Sequence, residues 1–234
     1  MIHKLFPYLC KNYVSMEYKN RIADKLLRDK LEAMGAVLIE GPKACGKTTT
    51  AEQQAKSIIY MDDPVKQEQY KQMAQTNIRF LLEGETPRLI DEWQHVPQFW
   101  DAIRFEVDHR DDDGQFMLTG SAVPADMKEI HHTGTGRYGW LTMRPMSLWE
   151  SGESTGEVSL SDLFLTPDRI GALNKLTLPM LAFAACRGGW PKSLQKKTEK
   201  AALSQVTEYY KAITNSDISR VDNVKRDEER AKRI

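Results

Sequence analysis

Eight consecutive residues, Gly41-Pro42-Lys43-Ala44-Cys45-Gly46-Lys47-Thr48, constrain this chain more than any other feature. They follow AVLIE (36–40), a short apolar run rich in β formers, and lead into TTAEQQAKS, a stretch of good helix formers. A strand that passes through a glycine turn into a helix begins a parallel βαβ unit. The residue types also carry chemistry. Gly41 and Gly46 tolerate positive φ, so successive backbone N–H groups can turn inward around an anion. A helix starting near Lys47 aims its positive end at the same point. Lys47 adds a point charge there, and the Thr48 hydroxyl is a hard oxygen ligand suited to Mg²⁺. The spacing G-x-x-x-x-G-K-T thus reads as a loop for the phosphates of a nucleoside triphosphate. ATP and Mg²⁺ are the cofactors expected, with Gly41, Pro42, Lys43, Ala44, Cys45, Gly46, Lys47, Thr48 and Thr49 as the binding residues.

The remaining chain continues the alternation. Residues 21–34 have helical spacing, 57–61 read as a second strand, 65–83 as helix, 88–91 as a third strand, 97–110 as an amphipathic helix, 115–120 as a fourth strand and 138–143 as a fifth. Strands alternating with helices predict a three-layer α/β core with a parallel sheet. From about residue 147 helical stretches dominate, at 168–175, 178–186 and 194–213, with RGGWP (187–191) as a hinge-like turn. The expected organisation is a leader (1–20), a phosphate-loop core (21–146), a small helical lid (147–220) and the start of a shortened C-terminal region (221–234).

Beyond the loop, RLIDE (88–92) ends a strand with two carboxylates, where both can reach the crevice at the strand ends. Asp91 is the candidate metal-holding residue together with Thr48. Glu92 is the candidate general base that polarises an attacking water. A water-activating Glu is what a hydrolase needs and a small-molecule kinase does not. QFMLTGSA places Thr119 and Ser121 at the next strand end, within reach of a terminal phosphate or of the water. HHTGTGRYGW presents Arg137 behind Gly134 and Gly136, an arrangement suited to stabilising transition-state charge, within its own subunit or, the favoured case, on a neighbouring one, set against a solvated arginine on a surface loop. His131 and His132 have no third ligand nearby and read as solvated. Arg187 is a second candidate for the terminal phosphate, set against a plain helix-capping role. The thiol of Cys45, beside Lys47 at a helix end, is expected to favour its thiolate. The five tryptophans lack the spacing of a stacking platform.

Lys+Arg and Asp+Glu are equal at 33 each, which removes any global electrostatic attraction to nucleic acid or to an anionic membrane. The three cysteines have no CxxC spacing, and no apolar run reaches membrane-spanning length. A cytoplasmic protein with no membrane partner is expected.

The segments IEGPKACGKTTTAEQQAKS, RLIDEWQHVPQFWDAIRFEVD, GQFMLTGSAVP, HTGTGRYGWLTMRPMSLWESGES and RGGWP together resemble a group of prokaryotic AAA-superfamily ATPases that usually carry a C-terminal domain of unknown function. The resemblance spans roughly residues 20–220. It implies an additional-strand catalytic-Glu core with sheet order 5-1-4-3-2, followed by a helical lid. It also implies that Lys47, Thr48, Asp91, Glu92, Thr119 and Arg137 form the working set. Two function classes follow: Mg-dependent ATP hydrolysis coupled to a conformational change, or an ATP-binding switch with little turnover that reports to a protein or DNA client. Self-association fits either.

Overall fold

The computed structural model describes residues 18–120, 134–169 and 171–215 of the chain. The expected leader lies largely outside the described residues, and Ser121, His131, His132 and the segment 221–234 lie wholly outside them.

Five parallel strands form one sheet: β1 (Ala36–Glu40), β2 (Ser57–Tyr60), β3 (Arg88–Asp91), β4 (Phe116–Thr119) and β5 (Tyr138–Thr142). Their order is β2-β3-β4-β1-β5, which read from the other edge is β5-β1-β4-β3-β2. The central strands are buried on both faces, as strands of a parallel sheet covered by helices must be. Alternation along β1 shows the consequence. Ala36 and Leu38 join a core cluster with Ile90, Phe99, Trp100, Ile103 and Leu118, while Val37 and Ile39 join one with Leu27, Ala51, Leu89, Met117 and Leu141. The first cluster is closed by α3 (Gln67–Asn77), α4 (Arg79–Leu82) and α5 (Phe99–His109). The second is closed by α1 (Ile22–Leu31) and α2 (Lys47–Glu52). The expected three-layer α/β core is the observed one.

Several elements differ from their expected extent. Helix α2 stops at Glu52, because the chain must turn through Gln53–Lys56 to enter β2. The expected helix over 65–83 is broken at Ile78. There the Asn77 side chain accepts a hydrogen bond from the Arg79 N–H (3.1 Å) and competes with the helical ladder. Of the stretch expected as helix at 168–175, the described residues show a 3-10 turn at Pro167–Arg169 and no helix over 171–175; further on, the Asn174 side chain again captures a backbone N–H, that of Leu176 (2.9 Å).

After β5 the described residues hold the α-helices α6 (Leu148–Ser151), α7 (Leu160–Leu165), α8 (Leu178–Arg187), α9 (Pro191–Leu194) and α10 (Glu199–Asn215). The first two escape periodicity reading because each is under two turns long, but both begin with a capping box, Ser147/Glu150 and Ser159/Asp162. The RGGWP turn joins α8 to α9. It is bonded to the segment after β5, with the Met146 N–H on the Gly189 carbonyl (2.7 Å). A β-carbon at Gly189 would fall 1.9 Å from the Met146 carbonyl oxygen, so only glycine fits this approach. Helices α7 and α8 leave large apolar side chains in water, among them Phe164 at 80% and Leu178 at 80% exposure. Among the described residues no helix is long and apolar enough to cross a membrane.

Candidate functional site

The loop between β1 and α2 has the backbone its glycines allow. Gly41 (φ 147°), Ala44 (φ 61°) and Gly46 (φ 104°) all have positive φ. Ala44 pays a steric cost that a glycine would not. At Gly41 a β-carbon would meet the Met143 carbonyl oxygen at 2.2 Å. Pro42, Lys43 and Ala44 are exposed at the crest of the loop, and Thr49 is exposed on the first turn of α2. Lys47 is 6% exposed, with its ammonium donating to the carbonyls of Gly41 (2.9 Å) and Pro42 (3.1 Å). The lysine thus bridges the mouth of the turn, where it faces whatever anion the N–H groups receive.

The sheet register builds the acidic side. Asp91 and Thr119 are direct neighbours across β3 and β4, at the same end as the loop. Asp91 Oδ1 accepts from the Thr119 hydroxyl and from the Thr48 hydroxyl (2.8 Å). Asp91 is 5% and Thr119 1% exposed. A hydroxyl and a carboxylate oxygen side by side form a hard donor pair that fits Mg²⁺, with phosphate oxygens and water left to complete its shell. Among the described residues there is no cluster of three or more His, Cys, Asp or Glu that would make an all-protein metal cage. Glu92 follows in the left-handed conformation (φ 53°), which turns the chain out of the strand, and its carboxylate accepts from the Gln94 side-chain amide. Lys47, Thr48, Asp91, Glu92 and Thr119 therefore stand at one end of the sheet.

Arg137 does not join them. Its carbonyl accepts from the Ala36 N–H (3.1 Å), so it sits where β1 begins, whereas the loop begins where β1 ends. The length of β1 separates the two by about 15 Å. The Arg137 guanidinium instead pairs with Asp108 on α5 (2.7 Å) and is 44% exposed. That guanidinium, with burial opposing it, holds the Asp108 carboxyl below the usual range. Arg187 is also occupied: it is 8% exposed and donates to Glu153 (2.5 Å). The expectation for Cys45 is corrected too. Its side chain points into the core under the loop, fully buried, and burial pushes the thiol up despite the opposing charges of Lys47 and Arg21.

Two residues at the loop escaped sequence reading. Arg21, 7% exposed, donates to the Cys45 carbonyl (3.0 Å), to the Arg144 carbonyl (2.8 Å) and to Glu150 (2.9 Å). Tyr209 on α10 donates its hydroxyl to the Lys43 carbonyl (2.9 Å) while its ring packs on Trp190, centroids 4.4 Å apart. No local pattern signals either, since their partners lie far along the chain.

Among curated proteins none matches the chain. One solved structure similar to it is a Walker-type ATPase of Pyrococcus abyssi, 12% identical, with 88% of this chain and 76% of that chain covered and a TM-score of 0.49. The family model described as AAA domain matches residues 34–151, which take in the loop, the acidic strand end, β4, β5 and α6. With half of its length matched, from the strand before the loop to Ser151, the chain belongs to the AAA domain family.

Proposed function

We propose that this protein binds ATP with Mg²⁺ in the Gly41–Thr48 loop and hydrolyses it to ADP and phosphate. The observation that carries the reading is the shared Asp91 oxygen. One carboxylate accepts from Thr48 of the loop and Thr119 of β4, which fixes the loop, the acid and the neighbouring strand end at one point. The loop N–H groups and Lys47 hold the β- and γ-phosphates. Thr48 and Asp91 hold the Mg²⁺, which when bound neutralises charge on those phosphates. Glu92 takes a proton from water as its oxygen attacks the γ-phosphorus, and the bond from that phosphorus to the bridging oxygen of ADP breaks. Thr119 orients the water or the γ-phosphate. Arg137, remote from its own loop, serves the site of another copy. Helices α6–α10 form the lid whose position turnover changes.

A second reading keeps binding and reduces turnover to a switch. It is favoured by the hydrogen bond from Gln94 to the Glu92 carboxylate, which must be exchanged before that oxygen meets a water. Phosphate release measured with and without Mg²⁺, and with and without DNA, separates the readings. Lys47→Ala removes the buried side-chain cation at the mouth of the loop, and nucleotide affinity by calorimetry should fall by well over tenfold, about 1.4 kcal/mol. Affinity within about threefold of wild type would reject the phosphate assignment.

A further inference from the structure

The planes of two loop peptides are set from outside the motif. A trans peptide is planar, and its C=O and N–H point in opposite directions. Whatever holds the carbonyl of one residue therefore aims the N–H of the next. Among the described residues the only cis bond is Thr86–Pro87, so the peptides joining Lys43 to Ala44 and Cys45 to Gly46 are trans. The Lys43 carbonyl is held by the Tyr209 hydroxyl at 2.9 Å. The Cys45 carbonyl is held by the Arg21 guanidinium at 3.0 Å.

We propose that Tyr209 and Arg21 are positioning residues of the phosphate loop: by holding the Lys43 and Cys45 carbonyls outward, they turn the N–H groups of Ala44 and Gly46 to the other side, where phosphate oxygens are received. The proposal rests on the reading of the loop as a phosphate site. Both holders are themselves fixed. Tyr209 is braced by Trp190, and these two rings line an apolar cleft against Ala44, with Val206 and Gln205 as further walls. Arg21 is anchored by Glu150 and by the Arg144 carbonyl. The strained conformation of Ala44 (φ 61°) needs support of this kind, because a residue with a β-carbon does not keep it unaided. Donors held in place before the ligand arrives need no ordering when it binds, which raises affinity. The coupling is reciprocal: a phosphate that fixes the Ala44 N–H also fixes the carbonyl that α10 grips, so nucleotide tightens the seat of α10.

The test is Tyr209→Phe, which deletes the hydroxyl and keeps the ring on Trp190, with Tyr210→Phe as control. Tyr209→Phe should weaken ATP and ADP alike by about fivefold, the worth of one hydrogen bond. It should also move the Ala44 amide resonance of the nucleotide-free protein, and Tyr210→Phe should do neither. Arg21→Lys keeps the charge but cannot span three acceptors, and should weaken binding further; if it does not fold, Tyr209→Phe still decides. Wild-type affinity in Tyr209→Phe beside lost affinity in Lys47→Ala would overturn the positioning role alone. A loss that Tyr210→Phe reproduces would overturn it too. Wild-type affinity in both Tyr209→Phe and Lys47→Ala would instead sink the phosphate reading beneath it.

Discussion

Glu92 combines a demanding backbone with the exacting chemical task proposed for it. Its φ of 53° is unusual for a residue with a side chain, and it directly follows a buried aspartate whose oxygen already serves two hydroxyls. The pair divides labour by conformation: Asp91 stays in the strand and faces the loop, while Glu92 turns out of it. Glu92→Gln keeps the shape but cannot accept the proton. Turnover should fall by about 10²-fold or more with Mg-ATP binding retained, as single-turnover phosphate release and calorimetry would report. Hydrolysis at the wild-type rate would place the base elsewhere. At this scale the sequence was legible wherever placement depends on contiguous residues, as in the loop and the Asp-Glu pair at the strand ends. It was not legible where a side chain's direction decides. Cys45 sits beside a lysine in sequence but points into the core, so burial outweighs the neighbouring charge.

Among the elements, the short helix α6 has more hold on the site than its single turn suggests. Its Glu150 caps Ser147, accepts from the Ile22 N–H at the start of α1, and pairs with Arg21, both side chains being 5–6% exposed. Burial raises the Glu150 carboxyl, but the N–H groups of Ser147 and Ile22 and the Arg21 guanidinium outweigh it and the net shift is downward. A carboxyl held below its unfolded value contributes stability that is present above the ordinary carboxylate range and lost as pH falls through the lowered value. Glu150→Gln should therefore cost about 3 kcal/mol at neutral pH, since it leaves Arg21 buried without its counter-charge. The variant should lose less than wild type on acidification, which denaturant melts at pH 7 and pH 4 would compare. An equal cost at both values would mean that the pair does not titrate with folding. The strands and long helices were legible because each buries a periodic face. The Arg21 network was not: its partners lie 24, 123 and 129 positions away, and nothing local to Arg21 distinguishes it from a solvated charge at a helix start.

The sheet has two ends, set by the common direction of the five strands described. Residues that end or follow a strand, such as Thr119, the loop and Glu92, gather at one end, and residues that precede a strand, such as Arg137, lie at the other. This separation could be read from sequence once the sheet was taken as parallel. If Arg137 serves another copy, Arg137→Ala and Glu92→Gln should each be slow alone, and their mixture should recover turnover because some contacts pair an intact Arg137 with an intact Glu92. Arginine fingers are worth on the order of 10³ in rate or more, so partial recovery is measurable. No gain on mixing, with activity strictly linear in concentration, would exclude action between copies. The apolar side chains left in water on α7 and α8 have a different consequence, one of colloidal behaviour. The chain's formal net charge is zero and its isoelectric point is about 7.0. Near neutrality nothing of long range keeps two molecules apart, and Phe164, Leu165 and Leu178 give short-range attraction something to act on. Solubility is therefore least close to the pH of a cell, rises on either side of it as the molecules acquire charge, and falls with the salting-out anions that strengthen apolar association.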